Sequence, residues 1–168
     1  MYIETSKQSY CYQYMPASNR DPGSPAMVFV NDLEQDIQSA KFTTFTINIV
    51  DQLSSDSALV QDSDLVNYLN IIVPTSSTGR TLLDNVPVTN FHPIYGLPSY
   101  SYAQVQISHG DHEITNPAGF IATVYGYDTG IGREIPSYTY NPGFNCIHQD
   151  AYFLINGDRV PEAYVKEG

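Results

Sequence analysis

Period-two alternation, broken at short intervals by Gly, Pro, Asn, Ser and Asp, constrains this chain more than any other feature. In KFTTFTINIV, residues 41–50, Phe45, Ile47 and Ile49 alternate with Thr44, Thr46 and Asn48, as on a strand with one buried face. NYLNIIVP places Leu69, Ile71 and Val73 on one face and closes on Pro74, which has no N–H to give a ladder. YAQVQIS sets Ala103, Val105 and Ile107 against Tyr102, Gln104 and Gln106. GFIATVYG, residues 119–126, is apolar at nearly every position and is predicted to be a central strand covered on both faces. SYCYQYM, AMVFV, RTLL and AYFLI are further strand candidates, and only NDLEQDIQSA, residues 31–40, reads as helix.

Many short strands separated by turn residues fit an all-β fold, an antiparallel, jelly-roll-like β-sandwich with long loops, rather than βαβ units. The acidic, serine-rich segment 51–66, DQLSSDSALVQDSDLV, is expected to be one such loop. A length of 168 residues suits one core that folds without disulfides. The expected division is a sandwich over residues 1–145, followed over 146–168 by a C-terminal strand, a tail or the start of another module.

Charge narrows the partners. Eighteen acidic against seven basic residues give a formal net charge of −11, with no Lys/Arg cluster to track phosphates, so nucleic acid is not an expected partner. No apolar run is long enough for a membrane-spanning helix, so no membrane insertion is expected. The opening MYIETSKQSYCYQYM has no basic start followed by an apolar segment and reads as carrying no secretory signal.

The chemistry-bearing cluster is His109-Gly110-Asp111-His112-Glu113. With Gly110 and Asp111 as a two-residue type II′ turn, His109 faces His112 and Ile107 faces Ile114 across a hairpin. Two imidazoles do not complete a zinc site, and neither His92 nor His148 stands at a diagnostic spacing, so no metal and no cofactor are expected. The carboxylate pairs Asp111/Glu113 and Asp62/Asp64 are common in so acidic a chain and read as solvated. The sequence has no G-x-S-x-G elbow, and Gly126, Gly130 and Gly132 precede neither a helix nor a Lys that could hold phosphate.

A longer pattern carries more information. Gly110-Asp111-His112-Glu113-Ile114, Gly119-Phe120, Val124-Tyr125-Gly126-Tyr127 and Ser137-Tyr138-Thr139-Tyr140-Asn141-Pro142-Gly143 resemble the closing signature of the IgG Fc-binding protein N-terminal domain family. Earlier segments agree in order: Ser6-Lys7, Gln13-Tyr14, Pro25-Ala26-Met27, Gln35, Phe42-Thr43-Thr44-Phe45, Asn67 to Val73 and Leu83-Asp84-Asn85. The resemblance covers about residues 3 to 143. Gln8 stands where the family commonly has proline, and Asn85 where its hairpin has glycine. It implies an extracellular or cell-surface β-sandwich used for binding or adhesion, without catalytic residues. Gly110, His112, Tyr125, Gly126, Ser137, Tyr138 and Gly143 are then structural signature positions, and immunoglobulin binding is not carried over.

Tyrosine supplies the candidate binding surface. Tyr95, Tyr100 and Tyr102 lie in HPIYGLPSYSY, and Tyr127, Tyr138 and Tyr140 flank the glycine-rich segment, so loop-borne recognition of an extracellular protein or glycan is expected. Tyrosines that only cover the sheet are the competing reading. A structural spacer in a multidomain surface protein and, third, a carbohydrate-active enzyme are the alternative functions. Cys11 and Cys146, near the two ends of the resemblance, are the candidate disulfide.

Overall fold

The computed structural model describes residues 3–6, 9–15, 25–45, 47–50, 60–63, 65–127, 137–144, 152–155 and 158–161. In chain order the strands are β1 (Tyr12–Met15), β2 (Ala26–Phe29), β3 (Ile37–Thr43), β4 (Ile47–Val50), β5 (Val60–Ser63), β6 (Val66–Pro74), β7 (Leu82–Leu83), β8 (Val86–Pro87), β9 (His92–Ile94), β10 (Leu97–Ile107), β11 (Asp111–Tyr127), β12 (Ser137–Tyr140), β13 (Tyr152–Ile155) and β14 (Asp158–Pro161). The fold is all-β. Three antiparallel pairs, β1–β2, β4–β5 and β13–β14, accompany one eight-stranded sheet.

β11 organises that sheet because its two halves have different neighbours. Its first half lies between β3, with Asp111 opposite Thr43 and Thr115 opposite Ser39, and β7, with Ile114 opposite Leu83. Its second half lies between β6, with Tyr125 opposite Tyr68, and β12, with Tyr125 opposite Thr139. The sheet continues from β6 to β10 and β9, and from β7 to β8. Between the halves, Asn116-Pro117-Ala118-Gly119 breaks the register. Pro117 has no N–H to donate, and Gly119 takes φ +86° with its α-carbon against the Asp36 carboxylate, where a β-carbon would lie 2.0 Å from an oxygen.

The bend folds the sheet into two layers. Ala40 and Phe42 of β3, Leu69, Ile71 and Val73 of β6, Ile107 of β10, and Ile114, Phe120, Ala122 and Val124 from both halves of β11 make one core. Each fully buried aliphatic or aromatic side chain here contributes about 1.5–3 kcal/mol of transfer free energy. The alternation in NYLNIIVP is the cause of β6's inward face, and Pro74 is its last residue.

Four local expectations are corrected. NDLEQDIQSA is not a helix: Asp32 caps a 3-10 turn at Leu33–Gln35 through a capping box, and the chain then extends into β3, where the ladder to β11 overrides helix propensity. KFTTFTINIV is two strands, not one, because Thr44 turns to hydrogen-bond Ser108 and Gly110. Segment 51–66 is not wholly loop, since β5 pairs with β4; residues 51–59 lie outside the described residues. The predicted hairpin at Gly110-Asp111, with His109 facing His112 and Ile107 facing Ile114, does not exist. β10 is flanked by β6 and β9, so the chain crosses to the other layer and β11 finds β3 and β7 instead. Ile107 and Ile114 are nonetheless both core residues.

Candidate functional site

The crossing from β10 to β11 is held by polar contacts. Gly110, at φ +121°, receives the Thr44 N–H on its carbonyl at 2.9 Å and donates its own N–H to Thr44 Oγ1 at 2.8 Å. His112 is buried, whereas His109 is exposed. His112 Nδ1 lies 2.7 Å from Asp84 Oδ2, and Nε2 lies 3.0 Å from the Ser108 carbonyl. A carbonyl and a carboxylate only accept, so each contact is a hydrogen bond when the ring nitrogen that faces it carries a proton.

Asp84 reaches His112 because Asp84 and Asn85 form the β7–β8 turn with φ +53° and +64°, the left-handed pair of a type I′ turn. Asn tolerates that conformation, which is how it replaces glycine there. Asp84 Oδ1 also accepts the Glu113 N–H at 2.8 Å. Burial opposes ionisation of Asp84, but the His112 hydrogen bond, the Glu113 N–H and the attraction of His112 together hold its carboxyl below the usual value. Lys41, Thr43, Asp111 and Glu113 border an open depression of about 760 Å³ above this pair. It is shallow and solvated. Among the described residues no three His, Cys, Asp or Glu side chains gather as metal ligands.

Strand parity sorts the tyrosines. On β12, Tyr138 and Tyr140 stand opposite Gly126 and Val124 and turn inward. Tyr138 donates its hydroxyl to Asn67 Oδ1 at 2.6 Å, and Tyr140 donates to the Thr43 carbonyl at 2.5 Å. Both pack against Phe45. Gly126 leaves the space that the Tyr138 ring crosses: a β-carbon there would lie 2.4 Å from that ring and 2.5 Å from Asn67 Oδ1. Burial pushes the Tyr138 hydroxyl up to about 12, and burial also raises that of Tyr140. Gly143 lies close to Ile37 in the same way, since a β-carbon there would be 2.8 Å from the Ile37 terminal carbon, and Ser137 pairs with Tyr127.

The opposite parity faces out. Tyr68, Tyr125 and Tyr127 present near-parallel rings, with centroids 5.3, 6.0 and 6.5 Å apart. The Gln104 amide donates to the Tyr125 hydroxyl at 2.5 Å. Register places Gln106, Tyr68, Tyr125 and Thr139 in one row across four strands, and Gln104, Asn70 and Thr123 in the next, where Asn141 accepts from Thr123. Tyr102, exposed, stands beside His92 further along β10. No described side chain in these rows is charged. Burial raises the hydroxyls of Tyr125 and Tyr127; at Tyr125 its two tyrosine neighbours add to this and Gln104 opposes it.

The tyrosines expected in loops are thus placed otherwise, because the strands extend further than their turn residues suggested. Of the six candidates only Tyr95 lies in a turn, fully exposed between β9 and β10; Tyr100, Tyr127, Tyr138 and Tyr140 are on strands, as is Tyr102, whose strand YAQVQIS the alternation marks. Tyr127 joins the outer cluster, while Tyr138 and Tyr140 are part of the packing. Tyr68 and the outward role of Tyr125 were missed, although both stand at the polar parity of NYLNIIVP and ATVYGY. Cys11 is half-buried, and Cys146, His148 and the segment 128–136 lie outside the described residues.

The described residues thus form an all-β domain with a tyrosine and amide face on one layer, and none of their helices is long and apolar enough to cross a membrane. The chain belongs to the IgGFc binding protein family, whose model matches residues 1–126. No curated protein and no solved structure matches it significantly.

Proposed function

We propose that this domain is a noncatalytic binding or adhesion module of an extracellular or cell-surface protein, engaging a protein or glycan through the outer face of the β12–β11–β6–β10 layer. The observation that carries this reading is the cluster of Tyr68, Tyr125 and Tyr127 with Gln104: large side chains fixed in place before any ligand arrives, so little side-chain freedom is lost on binding. Family membership supports a binding role. Immunoglobulin Fc stands in the family's name and belongs among the probes, though no residue described above favours it.

The test is adhesion of the immobilised domain to extracellular matrix and mucosal extract, comparing the native chain with Gln104→Ala and Tyr127→Ala. Loss of binding in both variants, with unchanged thermal unfolding, supports the module. If the native domain binds nothing while its intact parent protein adheres, the domain is a spacer and its tyrosines belong to the fold.

A further inference from the structure

We propose that the outer face takes a neutral glycan, seated across β12, β11, β6 and β10 on Tyr68, Tyr125 and Tyr127 and hydrogen-bonded by Gln104, Gln106 and Asn70. This rests on the binding-module reading and gives its ligand a chemistry.

Charge is the first argument. The chain carries a net charge of −11, yet the two rows of this face hold only tyrosine, glutamine, asparagine and threonine. An anionic ligand would be repelled by the rest of the molecule, and a cationic one would find no carboxylate among the described residues of these rows. An uncharged ligand meets neither obstacle.

Group chemistry is the second. Gln104 donates to the Tyr125 oxygen, which leaves the Tyr125 O–H to donate outward. The amides of Gln106 and Asn70, next to it in the register, can each both donate and accept. A pyranose has the matching pattern, a C–H surface for the rings and a rim of hydroxyls that give and take hydrogen bonds.

Size is the third. Four strands at about 4.8 Å spacing and three outward positions along each strand, about 6.7 Å apart, make a face on the order of 400 Å². A stable protein partner needs about 800 Å² per side. A short run of sugars fits the smaller area.

The experiment is retention of the folded domain on immobilised mannan, galactan and β-glucan, with hyaluronan and heparin as acidic counterparts, at low and high salt. The expected result is retention on at least one neutral polysaccharide, insensitive to salt. Gln104→Ala, which loses a ligand hydrogen bond, and Tyr127→Ala, which loses a ring beneath the sugar, should each weaken it about tenfold, and Val86→Ser on β8 should leave it unchanged. Tyr68→Phe, which removes only a hydroxyl, keeps the test independent of folding. No retention on any neutral polysaccharide, or retention only on a polyanion at low salt, overturns the inference. If, in that case, a purified extracellular protein binds and protects Tyr127 from nitration, the module stands and only its ligand class was wrong. If no protein binds either, both readings fall.

Discussion

At the scale of single residues, two polar contacts carry consequences that can be measured. The folded-state pKa of Asp84 lies below its unfolded value, so the pair with His112 adds stability above the unfolded carboxylate pKa of about 3.9, and that stability is lost as pH falls through the lower, folded value. Asp84→Asn should therefore flatten the fall of the urea midpoint on the acid side. His112→Ala should cost about 1–3 kcal/mol at neutral pH by emptying a buried site and removing the hydrogen bonds to Asp84 Oδ2 and the Ser108 carbonyl. Tyr138 has the opposite sign. Its hydroxyl is raised from 10 to about 12, so the stability it adds is complete below the unfolded pKa and is lost as pH rises from 10 towards 12. Tyr138→Phe should remove that alkaline slope in a denaturant series followed by circular dichroism. Gly126→Ala should cost about 2 kcal/mol through overpacking, and less than that when Tyr138 is already Ala, because both changes act on the same space.

At the scale of elements, the decisive piece is β11, a strand of 17 residues that serves both layers. Its bend is anchored by Asn116, fully buried, whose amide reaches Ser77 and Thr81 Oγ1 while its own oxygen accepts the Ala118 N–H at 2.9 Å. The 3-10 turn at Thr75–Arg80, which follows β6, is thereby tied to the point where the sheet folds over. Asn116→Ala strands several buried polar groups at once and should lower stability by about 2–4 kcal/mol, read from urea unfolding. Hydrogen exchange should quicken most at β7 and the 3-10 turn, which depend on that anchor. A smaller loss, confined to fraying at the chain ends, would mean that Gly119 and Pro117 set the bend unaided.

At the scale of the whole molecule, the pairing of Cys11 with Cys146 stays a proposal, since Cys146 lies outside the described residues. A bridge there would close nearly the whole chain and add roughly 4 kcal/mol in the chain-entropy account. Thiol titration of the denatured, unreduced protein after oxidation should find no reactive sulfur; two reactive thiols would count against the bridge. The division of the chain near residue 145 likewise stays a proposal, to be checked by whether residues 1–145 unfold cooperatively when expressed alone.

The sequence determined the all-β class, the inward sets on β6 and β10, and the family with its hairpin at Asp84-Asn85, because each follows from local alternation or residue order along the chain; GFIATVYG, expected to be covered on both faces, buries Ala122, Val124 and Gly126 but leaves Thr123 and Tyr125 half-buried on the outer side. It also held the parity that separates Tyr138 and Tyr140 from Tyr68, Tyr125 and Tyr127, once strand boundaries are known. What only the tertiary structure decided is which strands become neighbours. The stretch from Ile107 to Ile114 reads locally as a hairpin, but β6 and β9 occupy the two edges of β10, and pairing is settled by competition among edges distant in sequence. The same competition made NDLEQDIQSA a strand partner of β11, brought Asp84 to His112, and carried the Tyr138 hydroxyl to Asn67, 71 residues away. No local pattern encodes such contacts, because their free energy comes from burial and pairing that exist only after the layers have closed.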